Sequence, residues 1–331
     1  MNRSDLTSSP ASRAGLWAGA AVLGAALTAT WVERRSRRAE RAQPPAGRLI
    51  EVDGVRLHVV ERGEGPPVVL IHGNMVSQRD FDASGLMERL ARDHRVLAFD
   101  RPGFGHSTRP RDRLWTPPAQ AALLHGALVQ LGVERAVVIG HSMGAMVALA
   151  LALDHPEDVG RLVLLGGYYY PTARVDALLT APVALPVLGD VMRYTVTAVA
   201  ARLMLKGLVR AMFAPRDVPP NFMRTLSREM MVRPIQLRAS AEDAAFMIPQ
   251  AKANAERYQE LRMPVAIFAG ADDKVIDPAT HAERLHREIS GSTLAIVAGA
   301  GHMVHHAAPD EVVAAIDRLE TPNFEPAKQA A

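Results

Sequence analysis

The sequence contains no cysteine, and this absence excludes several kinds of chemistry. Disulfide bonds, thiolate metal sites and cysteine nucleophiles cannot occur, and a cysteine-free chain suits a reducing compartment. The folded part of the chain is also not strongly basic. Residues 1–48 hold eight arginines and three acids, a net charge of +5, whereas the whole chain carries only +3, so the remainder is net −2. We therefore expect no nucleic-acid surface on the folded part.

One stretch near the N-terminus, residues 14–32, carries no charge at all. As a helix it would reach about 28 Å, close to the roughly 30 Å hydrocarbon core of a bilayer. Trp17 and Trp31 lie near its ends, as interfacial aromatic residues do. The stretch predicts a transmembrane anchor. A cleaved signal peptide and a surface-lying segment are the alternatives, and the signal peptide is disfavoured because most of the nearby arginines follow the apolar run.

The arginines that follow this stretch also predict its orientation. They belong on the cytoplasmic side, which places the downstream domain in the cytoplasm, at a bacterial inner membrane. We therefore divide the N-terminal part into a polar tail (residues 1–13), a transmembrane helix (residues 14–32) and a basic, proline-containing linker (residues 33–47). The folded domain is expected to start at residue 48.

The rest of the chain, with 331 residues in total and 48% of them hydrophobic, suits one large α/β domain with an insertion, or two small domains. Asp53-Gly54 between two apolar runs predicts a hairpin. Short apolar runs then alternate with helical patterns, which predicts a mostly parallel sheet covered by helices on both faces. Residues 167–250 lack a clear strand and predict a helical insertion, so the core comprises residues 48–166 and 251–331.

The most informative motif is Gly-His-Ser-Met-Gly at residues 140–144. It follows a Val- and Ile-rich run and precedes an apolar helix. Glycines at both ends allow strand and helix to approach closely, and the bend lifts the Ser142 hydroxyl out of the sheet with a strained backbone. This pattern predicts a nucleophile elbow. A plain strand–helix turn is the simpler alternative.

A serine nucleophile needs a base, and the base needs an orienting acid. His302 follows the last predicted strand, and Asp272 and Asp273 follow the one before it. Because the carboxyl ends of parallel strands meet at one sheet edge, these groups are expected near Ser142 in a serine–histidine–acid triad. The residues by themselves leave Asp272, Asp273 and Asp277 open as the acid.

Two further histidines, His305 and His306, come shortly after His302. At helical spacing the three share a face, so a metal cluster is one alternative. We favour solvated or helix-packing roles for His305 and His306, because no carboxylate pattern lies near them in the sequence.

These motifs, with His72-Gly73 and residues 100–107, resemble those of the α/β-hydrolase fold family, from about residue 48 to the C-terminus. The resemblance implies Asp273 as the acid, since the family acid usually falls three residues after the strand-ending glycine. It also implies an oxyanion hole built from the backbone amides of Asn74 and Met143. The insertion is expected to form a lid over the nucleophile.

The expected function is hydrolysis of a carboxylic ester or related acyl compound through an acyl-enzyme, with no metal and no organic cofactor. The side chains of the lid predict an apolar pocket for a small-molecule ester or a lipid-like substrate, with Tyr168, Met204 and Met231 as candidate contacts. A carbon–carbon bond hydrolase or a cofactor-free perhydrolase is the alternative within enzymology. A non-catalytic binding protein is the alternative outside it, and the oligomeric state stays open.

The insertion also contains a feature that points to the membrane. Residues 190–213 predict one long amphipathic helix, on which Arg202, Lys206 and Arg210 recur every four residues. This basic stripe fits either an anionic membrane surface or an ordinary solvated face.

Overall fold

The computed structural model describes residues 10–320. Its centre is one eight-stranded sheet with the strand order β1-β2-β4-β3-β5-β6-β7-β8. β2 runs antiparallel to both of its neighbours, and the other strand pairs are parallel. The expectation of a mostly parallel sheet is thus confirmed. The strands are β1 (Arg48–Val52), β2 (Val55–Arg62), β3 (Pro67–Ile71), β4 (Arg95–Phe99), β5 (Ala136–His141), β6 (Val159–Leu165), β7 (Val265–Gly270) and β8 (Thr293–Val297).

The first two strands form the predicted hairpin. Asp53 and Gly54 both have positive φ, 46° and 74°. A two-residue turn of this kind matches the right-handed twist of the strands, which is why Asp-Gly is favoured there. The turn sets the register, so that Val52 pairs with Val55.

Helices cover both faces of the sheet, and the strands alternate between them. Val69 and Ile71 of β3 pack into one apolar core, while Val68 and Leu70 pack into the other. This period of two is what buried strands in a three-layer fold require. The helices of the core are α2 (Arg79–Ala83), α3 (Leu86–Leu90), α4 (Pro117–Leu131), α5 (Met143–Asp154), α12 (Arg284–Glu288), α13 (Val304–Ala307) and α14 (Pro309–Glu320), with a π-helical turn at Ala279–Glu283 and a 3₁₀ turn at Tyr258–Glu260.

The chain between β6 and β7 consists of helices, and we call this segment the cap. One expectation about it was wrong, because residues 190–213 are two helices rather than one. The chain leaves helical geometry at Thr195 (φ −126°, ψ −104°), whose hydroxyl donates to the carbonyl of Val191 (2.7 Å) and so competes with the backbone ladder. The cap helices are α6 (Val175–Ala184), α7 (Leu188–Tyr194), α8 (Val196–Phe213), α9 (Phe222–Thr225), α10 (Arg228–Met231) and α11 (Pro234–Ala255).

The N-terminal segment is one helix, α1 (Pro10–Ala42). Among residues 10–320 it is the helix that is long and apolar enough to cross a membrane. It also runs ten residues beyond the predicted end at residue 32, so the linker prediction for 33–47 was too long. Arg37 pairs with Glu33 one turn earlier, and Val32, Ser36 and Ala39 are buried where α1 packs on α7 and α10. Of the predicted tail, residues 1–9 lie outside the described part.

Candidate active site

The turn between β5 and α5 has the sharp geometry that the glycine spacing predicts. Ser142 has φ +53° and ψ −117°, an unfavourable conformation for a residue with a side chain. A Cβ on Gly140 would lie 2.5 Å from the carbonyl oxygen of Gly144, and a Cβ on Gly144 only 2.1 Å from that of Ile71. Only glycine fits at both positions, and the turn holds the Ser142 hydroxyl at the carboxyl edge of the sheet.

The structure brings Ser142, His302 and Asp273 into one hydrogen-bonded chain. The Ser142 Oγ lies 2.9 Å from His302 Nε2, and His302 Nδ1 lies 2.8 Å from Asp273 Oδ2. With the proton of the neutral imidazole on Nδ1, Nδ1–H donates to the carboxylate and Nε2 accepts from the serine hydroxyl. All three residues are buried, and Ser142 is only 9% exposed.

Asp273 is held ionised by its surroundings. Its Oδ1 accepts hydrogen bonds from the amides of Val275 (2.8 Å) and Ile276 (3.0 Å). Burial raises the pKa of this carboxyl, but the imidazole of His302 and the two amides outweigh burial, and the pKa is lowered overall. A carboxylate in this position accepts the hydrogen bond of His302 Nδ1–H and so orients the imidazole.

The other two candidate acids point elsewhere. Asp272 is exposed, and its amide donates to the carbonyl of Ala300. Asp277 is also exposed, and its Oδ2 accepts from the amide of Thr280 (2.7 Å), which caps the following helical turn. Of the three acids, Asp273 is the one that contacts His302.

The loop after β3 lies directly against the elbow. A Cβ on Gly73 would be 3.2 Å from the Cβ of Ser142, so the Gly73–Asn74 peptide is adjacent to the serine. The Asn74 side chain is used elsewhere, because its Nδ2 donates to the carbonyl of Ser240 in α11 (3.1 Å). Met143 is the first residue of α5, where a helix leaves its amides without internal partners. Gly73, which precedes Asn74, and Met143 both adjoin Ser142, and the role of the Asn74 and Met143 amides stays a prediction.

Sequence reasoning missed the group that holds this loop. The buried Arg101 guanidinium donates from Nε to the carbonyl of His72 (2.9 Å) and from Nη2 to that of Gly73 (3.0 Å). The Gly73–Asn74 peptide is planar and trans, so its N–H points away from its carbonyl. The hydrogen bond from Arg101 to the Gly73 carbonyl therefore also fixes the direction of the Asn74 N–H. Arg101 is held in turn by the fully buried Asp243 of the cap helix α11, to which Arg109 also donates. The sequence offered no clue to Asp243, because it lies 142 residues from Arg101.

His72 completes the support of this loop. Its Nδ1 lies 2.7 Å from the carbonyl oxygen of Gly73, and its Nε2 accepts from the amide of Arg101 (2.9 Å). The Nε2 contact requires the neutral ring, with its proton on Nδ1. Burial, together with the charge of Arg101, lowers the pKa of His72 to about 4.

His305 and His306 do not lie on a solvated face. Their Nε2 atoms lie 2.9 and 2.8 Å from the two carboxylate oxygens of the buried Asp80 of α2. The expectation of a solvated role was wrong, because Asp80 reaches both histidines from a helix more than 220 residues earlier in the chain. Hydrogen bonds to Asp80 account for one ring nitrogen of each histidine.

The three candidate substrate contacts of the cap lie in different places. Tyr168 is buried beside the elbow in a cluster with Met143, Met247 and Ile276. Met231 belongs to a second buried cluster that contains Val76, which follows the Gly73–Asn74 loop, and Met303, which follows His302. Met204 lies on the outer surface of α8 with 58% of its surface exposed.

The predicted basic stripe on α8 is broken. Arg202 is buried, with 8% of its surface exposed, and its Nε donates to Glu229 of α10 (3.0 Å). Its guanidinium also lies 5.1 Å from the ring centroid of Trp31 in α1. Lys206 and Arg210 remain exposed, so the stripe consists of two cations rather than three.

Several known proteins are similar to this chain in sequence or in fold. A 2-hydroxymuconate semialdehyde hydrolase of Pseudomonas putida is 38% identical over 128 residues, which are 39% of this chain and 46% of that protein. The chain thus aligns with about half the length of this curated relative. The esterase EaEST of Exiguobacterium antarcticum shares the fold with a TM-score of 0.69 at 22% identity, over 83% of this chain and all of that one.

A second solved structure, described as a membrane phospholipase A and a bacterial virulence factor, matches with a TM-score of 0.65 at 21% identity. It covers 94% of this chain and 98% of its own, so the shared fold reaches into α1. The family model for the α/β hydrolase fold matches residues 66–309. The chain therefore belongs to the α/β-hydrolase fold family.

Proposed function

We propose that the protein is a membrane-tethered serine hydrolase that cleaves a carboxylic ester or a related acyl compound. The observation that carries this proposal is the chain of short contacts from Ser142 through His302 to Asp273, at a strained turn. Serine is a poor nucleophile by itself, and a hydrogen-bonded, oriented imidazole is what activates it.

The reaction would proceed in two halves. Ser142 Oγ attacks the acyl carbonyl while His302 Nε2 takes its proton, and the amides of Asn74 and Met143 stabilise the oxyanion. His302 then gives the proton to the leaving alkoxide, which leaves an acyl-serine ester. A water that His302 deprotonates attacks that ester, the acid product departs and Ser142 regains its proton.

Two apolar clusters beside the triad favour an apolar acyl group. Tyr168, Met247 and Ile276 lie on the α11 side, and Met231 and Met303 belong to the cluster next to α8. Methionine side chains adapt to irregular shapes, so such walls suit a flexible chain better than a polar head.

Helix α1 supports the membrane tether. Its large apolar side chains between residues 16 and 27 are exposed, whereas Val32, Ser36 and Ala39 pack on the cap. The apolar half is therefore free to cross a bilayer while the basic half stays with the domain. Arginines on that basic half would keep the domain on the cytoplasmic side.

Carbon–carbon bond hydrolysis is the second candidate, favoured by the name of the 38% identical relative. A direct assay with two substrates distinguishes ester hydrolysis from carbon–carbon bond hydrolysis. An esterase releases p-nitrophenol from acyl esters, whereas a carbon–carbon hydrolase bleaches the visible absorbance of a conjugated ring-cleavage product. The ratio of the two kcat/KM values decides between them.

Labelling with a fluorophosphonate probe tests the nucleophile. We expect the wild type and the exposed-serine control Ser290→Ala to be labelled, and Ser142→Ala to remain unlabelled. Labelling of folded Ser142→Ala would refute Ser142 as the nucleophile. Absence of labelling in folded wild type would instead support a non-catalytic binding protein.

A further inference from the structure

The outward side of the cap is apolar and uncovered. Large aliphatic side chains project from α6, α7, α8 and the turn between α6 and α7, with up to 79% of their surface exposed (Leu203). These helices pack on one another in sequence, so the side chains form a continuous surface. We define it as the apolar cap face, formed by Leu178, Leu179, Leu185, Val187, Leu188, Val191, Val196, Val199, Leu203 and Leu208. Soluble monomers rarely expose apolar patches of this kind without a function.

Helix α8 shows that this face is not simply one side of an ordinary amphipathic helix. Ala198, Leu205 and Val209 point inward and are buried. Val196 and Leu203 point outward and are exposed. A helix that only covers a core presents polar residues outward, so the outer aliphatic residues call for an apolar environment of their own.

The apolar cap face adjoins the helix proposed to cross the membrane. Trp31 of α1 lies against the Arg202 guanidinium of α8 at 5.1 Å, and α1 also packs on α7. The interfacial end of the apolar half of α1 is therefore at the level of α7 and α8. A bilayer that surrounds the exposed residues Leu23 and Leu27 of α1 would meet the cap at this face.

Charge around the face fits anionic lipid head groups. Asp190 of α7 is neutralised by Arg111 (2.9 Å) and Arg193 (2.8 Å). Lys206 and Arg210 of α8 are exposed, and so are cations of α1 just after Trp31. An apolar surface with cationic neighbours is the composition of segments that lie in a membrane interface.

We propose that the apolar cap face inserts into the interfacial layer of the same anionic phospholipid bilayer that α1 crosses. The proposal rests on the membrane tether put forward above and adds a second, shallow attachment through the cap. Helix α8, which carries part of the face on its outer side, contributes Leu205, Val209 and Phe213 on its inner side to the buried cluster that contains Met231 and Met303. A lipid-phase acyl substrate would thus meet the cap at the surface of the bilayer, without crossing water.

The absence of cysteine makes a site-specific test possible in the full-length protein. Single cysteines at Leu203, Leu23 and Glu134 would carry an environment-sensitive fluorophore in vesicles of phosphatidylcholine and phosphatidylglycerol that contain spin-labelled lipids. Glu134 is an exposed control just before β5, at the sheet edge opposite Ser142. We expect lipid quenching at Leu203→Cys and Leu23→Cys, and none at Glu134→Cys.

The outcomes separate this proposal from the tether. Quenching at Leu23→Cys without quenching at Leu203→Cys would overturn the docking of the cap and leave the tether standing. No quenching at either position would refute both. A Leu203→Cys protein that is unquenched and forms disulfide-linked dimers would assign the face to a second copy of the chain.

Substrate presentation provides a second measurement. The variant Val196→Ser with Leu203→Ser is expected to hydrolyse vesicle-embedded p-nitrophenyl palmitate about tenfold more slowly, since each aliphatic side chain contributes to insertion. Its turnover of soluble p-nitrophenyl acetate should match wild type. An equal loss on both substrates, or no loss on either, would contradict the proposal.

Discussion

The two sides of the cap differ in the side chains that they carry. The side that faces the core, on α11, buries charge, with Asp243 fully enclosed between Arg101 and Arg109. The outer side, on α6 to α8, exposes aliphatic side chains such as Leu203. Buried ion pairs add little net stability but penalise any other arrangement of their partners. The inner side thus fixes the position of the cap, whereas the aliphatic outer side is available to contact an apolar environment.

The position of the cap affects the loop next to Ser142, because one arginine connects the two. Asp243 holds Arg101, and Arg101 holds the carbonyls of His72 and Gly73. The cap and the loop that carries the proposed oxyanion amide of Asn74, here called the oxyanion loop, are therefore one connected unit. Arg101 is a positioning residue, since it acts through the peptide that carries the Asn74 amide.

The largest expected effect comes from breaking this unit. Arg101→Met leaves Asp243 without its main partner in a buried site, and we expect a loss of about 3–5 kcal/mol in the free energy of unfolding. The control Arg287→Met, at an exposed arginine 3.8 Å from Glu283, should cost no more than about 1 kcal/mol. Urea unfolding of both detergent-solubilised variants measures the difference. Equal losses in the free energy of unfolding would show that the Arg101 network contributes no more than an exposed ion pair.

A double substitution separates stability from positioning. Arg101→Met with Asp243→Leu removes both charges, so most of the lost stability should return. The Gly73 carbonyl would still lack its Arg101 donor, so kcat should remain lowered while KM changes little. Recovery of kcat together with stability would indicate that Arg101 serves the fold and not the oxyanion loop.

A matched pair on α8 tests the two sides of the cap directly. Leu205 is 2% exposed and Leu203 is 79% exposed, two residues apart on one helix. Leu205→Ala should cost about 2–5 kcal/mol through the cavity it leaves, whereas Leu203→Ala should stay within about 0.5 kcal/mol. Thermal and urea unfolding in detergent provide the measurement. A large loss for Leu203→Ala would mean that the outer face packs against protein.

Acid provides a smaller test of the buried contacts around Arg101, to which His72 belongs. The pKa of His72 is about 4 in the folded protein, against 6.5 for the free side chain, so the unfolded chain binds a proton first as the pH falls. The stability that neutral His72 contributes is full above pH 6.5 and is lost as the pH drops towards 4. Between pH 7.5 and 5 the loss should be about 2 kcal/mol. Unfolding of His72→Gln at both values should show a shallower pH dependence, and an unchanged slope would contradict this role.

Local patterns in the sequence predicted much of the sheet and the proximity of Ser142, Asp273 and His302. The Asp53-Gly54 turn, the glycines around Ser142 and the positions of Asp273 and His302 after successive strands all depend on neighbours in the chain. Such features follow from backbone sterics and from strand direction. The structure placed them where those rules expect them.

Contacts between distant segments were not predictable from local patterns. Asp80 meets His305 and His306, and Arg202 turns inward to Glu229 instead of joining a basic stripe. Helix α1 continues past residue 32 because the cap provides a surface for it. In each case tertiary packing decides which polar side chains are buried, and a one-dimensional pattern does not contain that information.

The central claim, covalent catalysis by Ser142, is tested most directly by trapping the acyl-enzyme. Rapid mixing with p-nitrophenyl butyrate should give a burst of p-nitrophenol, and acid quenching followed by peptide mass mapping should find one butyryl group on Ser142. Ser142→Ala should show neither the burst nor the modified peptide. A butyryl group on another residue, or steady turnover by Ser142→Ala, would contradict the account.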